Sequence, residues 1–396
     1  MSELGRRLQL IHAAQWLSAT QGDPYARLLL GHDADPYPGY AEVRAAGALV
    51  ASRDGVWVTA RHRTGADLLA HPSLGVRRAD GERSLEPIAP LEDTPLGAER
   101  EDLERLGKAA AAGSVPLLGA GAAERYTALA DQACRRVLAG VGAEADLVPA
   151  LAEALPAEVL ADLCELTGPD RARLAEDCRW AGLAQDALLC PQSLASTRRM
   201  LAALDDLRDL YGVPRPVHGD AGLLLALLGV RVAADLIAGA VRALLDHPWQ
   251  WSKLAADPWL AARAVNETLR HDPPVHLRSL VAHHDLEVDG VQITAGSRVV
   301  VLIGGTGRDA EAFTDPDTFE LDRPAGQGPA LSPGFAHELV APFARAVAEA
   351  ALRALAGRFP RLSAAGPALG RRRAPVTRGS WSLPVVTGGT NGKGRR

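Results

Sequence analysis

Four histidines that could ligate a metal ion lie close together in the chain, at His271, His276, His283 and His284. Imidazole nitrogen is the commonest protein ligand for transition metals. His283 and His284 are adjacent, however, and neighbouring residues of a strand point to opposite faces. These two side chains would therefore not face one ion, and we interpret the four histidines as solvated loop and strand residues.

A second candidate pair is His337 beside Glu338, which could offer one nitrogen and one oxygen ligand to iron or zinc. Adjacent residues on a loop rarely converge on a single ion, so we expect no metal there. Glu267 and Arg270 differ from both candidates, because a spacing of three residues puts them on one helix face as an ion pair.

The elements that must position these residues are mostly helical. Apolar residues recur with a helical period in eight segments, at 122–140, 145–166, 169–189, 194–211, 218–246, 249–256, 258–271 and 341–357. Strand-like runs are short and lie early and late, at 49–51, 56–59, 286–288, 291–293 and 298–303. Asp289-Gly290 between two of them predicts a hairpin turn. The predicted fold class is mainly α with small β-sheets.

Composition narrows the functional classes. The 396 residues are 47% hydrophobic and 23% charged, with a net charge of −5. This balance does not favour binding to nucleic acid or to an anionic membrane, and no run of 18 uncharged apolar residues predicts a membrane span. The four cysteines lack metal-binding spacing and predict a reduced, cytoplasmic protein. Only three of the 43 basic residues are lysine, which is typical of a GC-rich genome such as that of an actinomycete.

Four groups of motifs, in the right order, resemble those of bacterial cytochromes P-450. They lie at 35–38 with 57–59, at 267–270, at 307–323 and at 378–385. The resemblance runs from about residue 35 to 386 and implies the triangular prism fold of that family as one domain. It also implies that Glu267, Arg270 and Arg323 form a buried ion network.

The segment 331–345 resembles the haem-binding loop of the same family, F-G-x-G-x-H-x-C-L-G-A-P-L-A-R. Aligned without a gap, the matching residues are Gly334, Leu339, Ala341, Pro342, Ala344 and Arg345. Glu338 stands at the position of the cysteine ligand, and Ala336 at that of the histidine. A haem-thiolate enzyme needs the cysteine thiolate for O–O cleavage, and a carboxylate cannot replace it.

Two further parts of the family's haem site, the proton relay and a propionate contact, are also changed. Arg231 stands where the acid of the oxygen-activating helix belongs, and Val232 where its threonine belongs. Neither side chain can relay protons at neutral pH. Leu280 occupies the usual place of an arginine that contacts a haem propionate, although Arg278 lies two residues earlier on the same side of a strand. We therefore expect a degenerate site with no haem and no catalytic residues, in which Glu338 pairs with an arginine such as Arg231.

Residues 1–34 precede the usual start of the family. They resemble the opening G-R-x-L-Q-x-I…W…G-D-P-Y…G-H-D-x-D-P of haem-free members that assist deoxysugar glycosyltransferases in macrolide and anthracycline biosynthesis. The resemblance implies a non-catalytic protein that binds, stabilises and activates such a transferase, in an assembly that can include a homodimer. The candidate docking residues are Leu8, Ile11, Trp16, Asp23, Tyr25 and His32. The alternative is that this segment packs on its own domain.

Two other functions remain open from the sequence alone. One is a haem monooxygenase with unusual ligation, and the other is a protein that binds a polyketide in the vacated haem cavity. The last ten residues, 387–396, are rich in glycine and polar residues and predict a disordered tail.

Overall fold

A computed structural model describes residues 2–31, 35–77, 94–119, 121–211, 219–324, 330 and 332–388. Helices dominate this part of the chain. They are α1 Glu3–Thr20, α2 Pro24–Leu30, α3 Tyr37–Ala46, α4 His62–Ala70, α5 Arg100–Ala111, α6 Ala122–Ala139, α7 Ala154–Leu163, α8 Gly168–Ala181, α9 Ala184–Ala187, α10 Leu194–Tyr211, α11 Gly219–Leu224, α12 Val230–Asp246, α13 Pro248–Ala256, α14 Ala261–His271, α15 Ile303–Thr306 and α16 Phe335–Arg358.

The strands are short and form four small sheets. They are β1 Val50–Ala51, β2 Trp57–Thr59, β3 Leu74–Gly75, β4 Glu144–Asp146, β5 Arg278–Ala282, β6 Leu286–Val288, β7 Val291–Ile293, β8 Arg298–Val301, β9 Ser363–Ala364, β10 Leu369–Gly370, β11 Ser380–Ser382 and β12 Pro384–Val386. The largest sheet has the order β1-β2-β8-β5-β3, with β2 and β8 parallel. The others are β4-β12-β9, β10-β11 and β6-β7.

The hairpin predicted from Asp289-Gly290 is confirmed. Strands β6 and β7 pair antiparallel, with Val288 opposite Val291. Asp289 and Gly290 both have positive φ, at 50° and 77°. A type I′ turn requires this at its two central positions, which explains the preference for Asp-Gly.

The core is built around a continuous helical run, Gly219–Asp246, in which α11 and α12 are joined by a π-helical turn at Leu225–Gly229. By length and composition this helix could cross a membrane, but its apolar window is entirely buried within the protein. It packs against α7, α14 and α16. Arg231 lies just after the π-helical turn, so the residues that replace the oxygen-activating pair sit at the centre of the molecule.

The N-terminal segment is tied to the body of the protein. Gln15 donates from Nε2 to the Leu189 carbonyl at 2.7 Å, and Ser18 donates to Asp54 at 2.8 Å. The Asp23 carboxylate caps α2 and also accepts from the Arg53 backbone N–H at 2.6 Å. At the other end, Thr387 donates its N–H to the Ala143 carbonyl at 2.9 Å. Residues 389–396 of the predicted tail lie outside the described residues.

Candidate functional site

The segment aligned with the haem-binding loop is largely helical. The prediction that helix begins near 341 was wrong, because α16 begins at Phe335, directly after Gly334 with φ 113°. Pro342 lies inside the helix, where its missing N–H leaves one turn without a hydrogen bond. Glu338 therefore lies in the first helical turn, where it is exposed, whereas Ala336 is buried.

Arg231 does not pair with Glu338, so that expectation was wrong. Its guanidinium binds the Asp235 carboxylate through two hydrogen bonds, with Nε 2.9 Å from Oδ2 and Nη2 bonded to Oδ1. Both side chains are 3% exposed. Burial opposes the charge of Arg231, but Asp235 outweighs it and raises the pKa of the guanidinium. Asp235 lies one helical turn after Arg231 and is buried beside it, whereas Glu338 is exposed.

Asp235 binds a second guanidinium, that of Arg371. Arg371 Nη2 lies 2.9 Å from Asp235 Oδ2 and 3.1 Å from the Thr377 hydroxyl. Burial and the neighbouring Arg231 charge lower the pKa of Arg371. The Thr377 hydroxyl in turn donates to Asp186 on α9 at 2.7 Å. We call these five side chains the buried polar network: Asp186, Arg231, Asp235, Arg371 and Thr377.

Two glycines leave room for this network. A Cβ atom at Gly182 would lie 2.6 Å from Arg231 Cδ. A Cβ atom at Gly379 would overlap the Arg371 guanidinium and the Asp235 carboxylate. Any larger residue at either position would therefore force the charged groups apart.

His337, in the first turn of α16, reaches α9. Its Nε2 lies 3.4 Å from Gln185 Oε1. Burial, and then the Arg278 charge, lower the pKa of His337 to about 3, so the imidazole is neutral at physiological pH. Side chains therefore link α16, which contains the segment aligned with the haem-binding loop, directly to α9, which contains Asp186.

The other two positions of the degenerate site are apolar and packed. Val232 belongs to the main core, and Leu280 belongs to the apolar cluster beneath the five-stranded sheet. Both are 7% exposed. Neither offers a group that could transfer a proton or bind a carboxylate.

The structure brings together the three residues expected to form an ion network. Glu267 and Arg270 are 5% and 4% exposed, and Arg270 Nη2 lies 2.7 Å from Glu267 Oε1. Arg323 Nε lies 3.0 Å from the same oxygen. Arg270 also donates to the Gly307 and Pro316 carbonyls at 2.7 Å. The network therefore fastens α14 to the segment that leads to Arg323.

The expectation of solvated loop and strand residues was wrong for His276, which is 2% exposed, and for His271, which lies at the end of helix α14. The clustered histidines have separate partners. His276 lies 3.0 Å from the Tyr40 hydroxyl, His271 Nε2 lies 3.0 Å from the Asp317 carbonyl, and His283 Nε2 lies 2.9 Å from the Arg77 carbonyl. Among the described residues, no group of three or more His, Cys, Asp and Glu side chains is placed to hold a metal ion.

The N-terminal docking candidates divide into buried and accessible residues. Leu8, Asp23 and Tyr25 are 5%, 3% and 2% exposed, so the expectation that they present a docking surface is corrected. Asp23 is occupied in capping α2, and Tyr25 and Leu8 pack inside. Trp16 is 55% exposed and Ile11 is half-buried. His32 lies outside the described residues.

The donor set does not fit a haem-thiolate iron. The ligand position holds the exposed Glu338, and the four cysteines are buried in or next to α6, α7, α8 and α9. Arginine remains protonated, so Arg231 cannot pass protons to bound oxygen. What the site can do is hold fixed charges in the interior and link helices.

Sequence reasoning missed Asp235, Asp186, Arg371 and Gln185. Only the first had a visible signal, since Arg231 and Asp235 are four residues apart and such pairs meet on a helix. The other three come from distant segments, and their pairing depends on the tertiary fold.

Known proteins resemble the chain over nearly its whole length. A family model described as cytochrome P450 matches residues 242–335. Protein DesVIII of Streptomyces venezuelae is 40% identical over 97% of this chain and 93% of its own. The cytochrome P450 family protein EryCII of Saccharopolyspora erythraea is 34% identical over 96% and 97%.

A solved structure confirms the predicted fold. The crystal structure of Mycobacterium smegmatis CYP164A2 in the ligand-free state superposes with a TM-score of 0.77 and 26% identity. The match covers 92% of this chain and 99% of that one. Since full-length relatives and the fold agree with the motifs, the chain belongs to the cytochrome P-450 family.

Proposed function

We propose that this chain is a haem-free, non-catalytic member of its family that binds, stabilises and activates a deoxysugar glycosyltransferase of an antibiotic pathway. The observation that carries the proposal is the coordinated replacement at the haem site. An exposed Glu338 stands at the ligand position, and a buried Arg231–Asp235 pair stands at the proton relay. The fold-forming ion network around Glu267 is kept. The residues that form the fold are retained while those of the haem site are replaced. We therefore infer that the protein acts through its surface, by binding another protein.

The outward side of α1 offers such a surface. Leu10 and Leu17 are 65% and 54% exposed, and Ala13 and Ala14 between them are also exposed. These four residues, which we call the α1 face, recur at helical spacing and form one stripe. The inward side holds Leu8 and Ala19 together with the polar Gln15 and Ser18, so the helix has apolar residues on both sides.

An exposed apolar stripe of this kind marks a contact with another protein. Trp16 beside it is one of the residue types enriched at binding hot spots. We therefore assign the docking of the transferase to the α1 face.

Binding here can activate a partner without any chemistry. A protein that binds only the active conformation of the transferase raises the population of that conformation. The same binding protects the transferase from unfolding by mass action. The four cysteines are buried free thiols, which agrees with a proposed location in the reducing cytoplasm.

Co-expression with the pathway's glycosyltransferase tests the function. We expect the transferase to be more soluble and to transfer more sugar when this chain is present. Soluble yield and initial rate should be measured with the chain, without it, and with the chain added after purification. Equal yield and equal rate in all three would refute the activator role.

The haem content of the purified chain provides an independent check. A strong Soret band at stoichiometric haem would overturn the haem-free assignment and favour an oxygenase with unusual ligation. Tight binding of a polyketide aglycone without any transferase would favour a ligand-binding protein instead.

The double substitution Leu10→Ser and Leu17→Ser tests the docking surface. Exposed side chains contribute little to folding, so we expect a change of at most about 0.5 kcal/mol in the free energy of unfolding. Co-purification with the transferase and the stimulation of sugar transfer should both be lost, because apolar contacts at an interface centre carry much of the affinity.

A matched control is Leu369→Ser with Trp381→Ser, on the β10–β11 sheet. These side chains are 52% and 67% exposed. The control should bind and stimulate as the wild type does. Full stimulation by the α1 variant, or loss in the control alone, would place the docking surface elsewhere.

A further inference from the structure

Arg278 places a positive charge close to the start of α16. It begins strand β5, is partly buried, and its Nε atom is closed off from solvent with no hydrogen-bond partner. None of the residues in the described ranges forms an ion pair or a hydrogen bond with its guanidinium. Burial lowers the pKa of Arg278 to about 10, which leaves it charged at neutral pH. A donor that is closed off from solvent is costly unless something binds it.

The charge of the nearby Glu99 favours protonated Arg278, but no hydrogen bond or ion pair joins the two side chains. Its carboxylate accepts from the Val76 N–H at 3.2 Å and from the Arg77 N–H at 2.6 Å. These bonds hold Glu99 on the backbone beside β3. Arg231 is different, because Asp235 binds it with two hydrogen bonds.

Other unsatisfied polar atoms come from the elements next to Arg278. The position of a Cβ on Gly334, at the start of α16, lies 3.7 Å from Arg278 Nε. His337, 8% exposed, has no hydrogen-bond partner for Nδ1, and Gln185, 2% exposed, has none for Nε2. Gly334 provides no side-chain cap, so the first backbone N–H groups of this 24-residue helix also face outward from its end.

The chemistry of these groups specifies a ligand. Arg278 and Gln185 Nε2 are hydrogen-bond donors. The neutral His337 donates from Nε2 to Gln185 Oε1, which leaves Nδ1 as an acceptor. An oxyanion that also bears a hydroxyl group would satisfy both kinds of atom, and the start of a helix favours the same negative charge.

We propose that Arg278, His337, Gln185 and the start of α16 bind a small hydroxyl-bearing oxyanion, either hydrogen phosphate or a hydroxy carboxylate. The site is distinct from the α1 face and does not depend on the proposed partner. It uses Arg278, which takes no part in the buried polar network. A ligand here would connect β5, α9 and α16 through a single charged group.

Thermal unfolding in the presence of inorganic phosphate or glycolate tests the proposal, at constant ionic strength set with chloride. We expect a saturable rise in the Tm of the wild type with at least one of the two anions, and the better anion identifies the ligand class. Arg278→Met should weaken the binding at least about tenfold, as expected for the loss of a charge-assisted hydrogen bond. Gln185→Leu keeps the charge and should weaken the same binding.

The variants also separate a binding role from a structural one. Without added anion, Arg278→Met should melt at a higher temperature than the wild type, because methionine removes a donor that is closed off from solvent and has no partner. Arg263→Met, which changes an exposed arginine paired with Asp322, controls for general salt effects and should respond like the wild type. The proposal would be overturned if the anions raised the Tm of the wild type and of Arg278→Met equally and without saturation. It would also be overturned if Arg278→Met had a lower Tm than the wild type and the same response to the anions.

Discussion

Replacing Asp235 by asparagine is expected to lower the free energy of unfolding by about 3–5 kcal/mol. The substitution keeps the shape of the side chain and removes its charge. It would leave the guanidinium groups of Arg231 and Arg371 buried side by side, 3% and 8% exposed, without the carboxylate that both bind. Denaturant unfolding followed by circular dichroism would measure the loss.

A triple variant is the matched control for this prediction. Arg231→Met, Asp235→Leu and Arg371→Met together remove both guanidinium groups and the carboxylate between them, and apolar residues can fill the same volume. Asp186 keeps its hydrogen bonds to Thr377 and to the backbone. Replacing a buried ion cluster by packed apolar side chains is often neutral or stabilising, so we expect most of the stability to return. A single Asp235→Asn variant as stable as the wild type would show that the network is not what holds α12 to the 371–377 segment.

Glu267→Gln is expected to cost about as much, roughly 3–5 kcal/mol. The carboxylate of Glu267 balances both Arg270 and Arg323, and Arg270 is 4% exposed. The arginines would keep their backbone carbonyl partners but lose their counter-charge. We expect a lower yield of soluble protein and a lower Tm, measured by differential scanning calorimetry.

Asp322→Asn provides the comparison. Asp322 forms ion pairs with Lys253 and Arg263 on the surface, where solvent screens the charges. We therefore expect no measurable change in Tm. Equal Tm values for Glu267→Gln and Asp322→Asn would mean that burial adds nothing to the Glu267 network.

Helices and strands could be predicted from the sequence where the pattern of apolar residues or a turn dipeptide spans only a few residues. The helix at 194–211 and the strands Leu286–Val288 and Val291–Ile293 have the predicted bounds. The grouping of Glu267 with Arg270 follows from helix geometry, while the addition of Arg323 came from the family resemblance. In each local case, one periodicity or one turn dipeptide determines the outcome.

The errors have physical causes as well. Pro342 is typical of a first helical turn, and it placed the predicted start of α16 six residues too late. Glu338 was consequently expected in a loop facing inward, whereas it is an exposed helical residue. Arg371 and Asp186 lie in other segments of the chain than Asp235. The spacing rule for side-chain pairs applies only to residues three or four apart on one helix, so it could not predict these contacts.

The close fit of Gly182 and Gly379 around the buried charges has an evolutionary consequence. An acid at 231 would lie beside Asp235, and any residue larger than glycine at 379 would collide with Arg371. A single substitution at either position would thus leave a repelled or displaced charge in the interior. Several positions must therefore change together, and this constraint limits which residues can replace Arg231 one at a time.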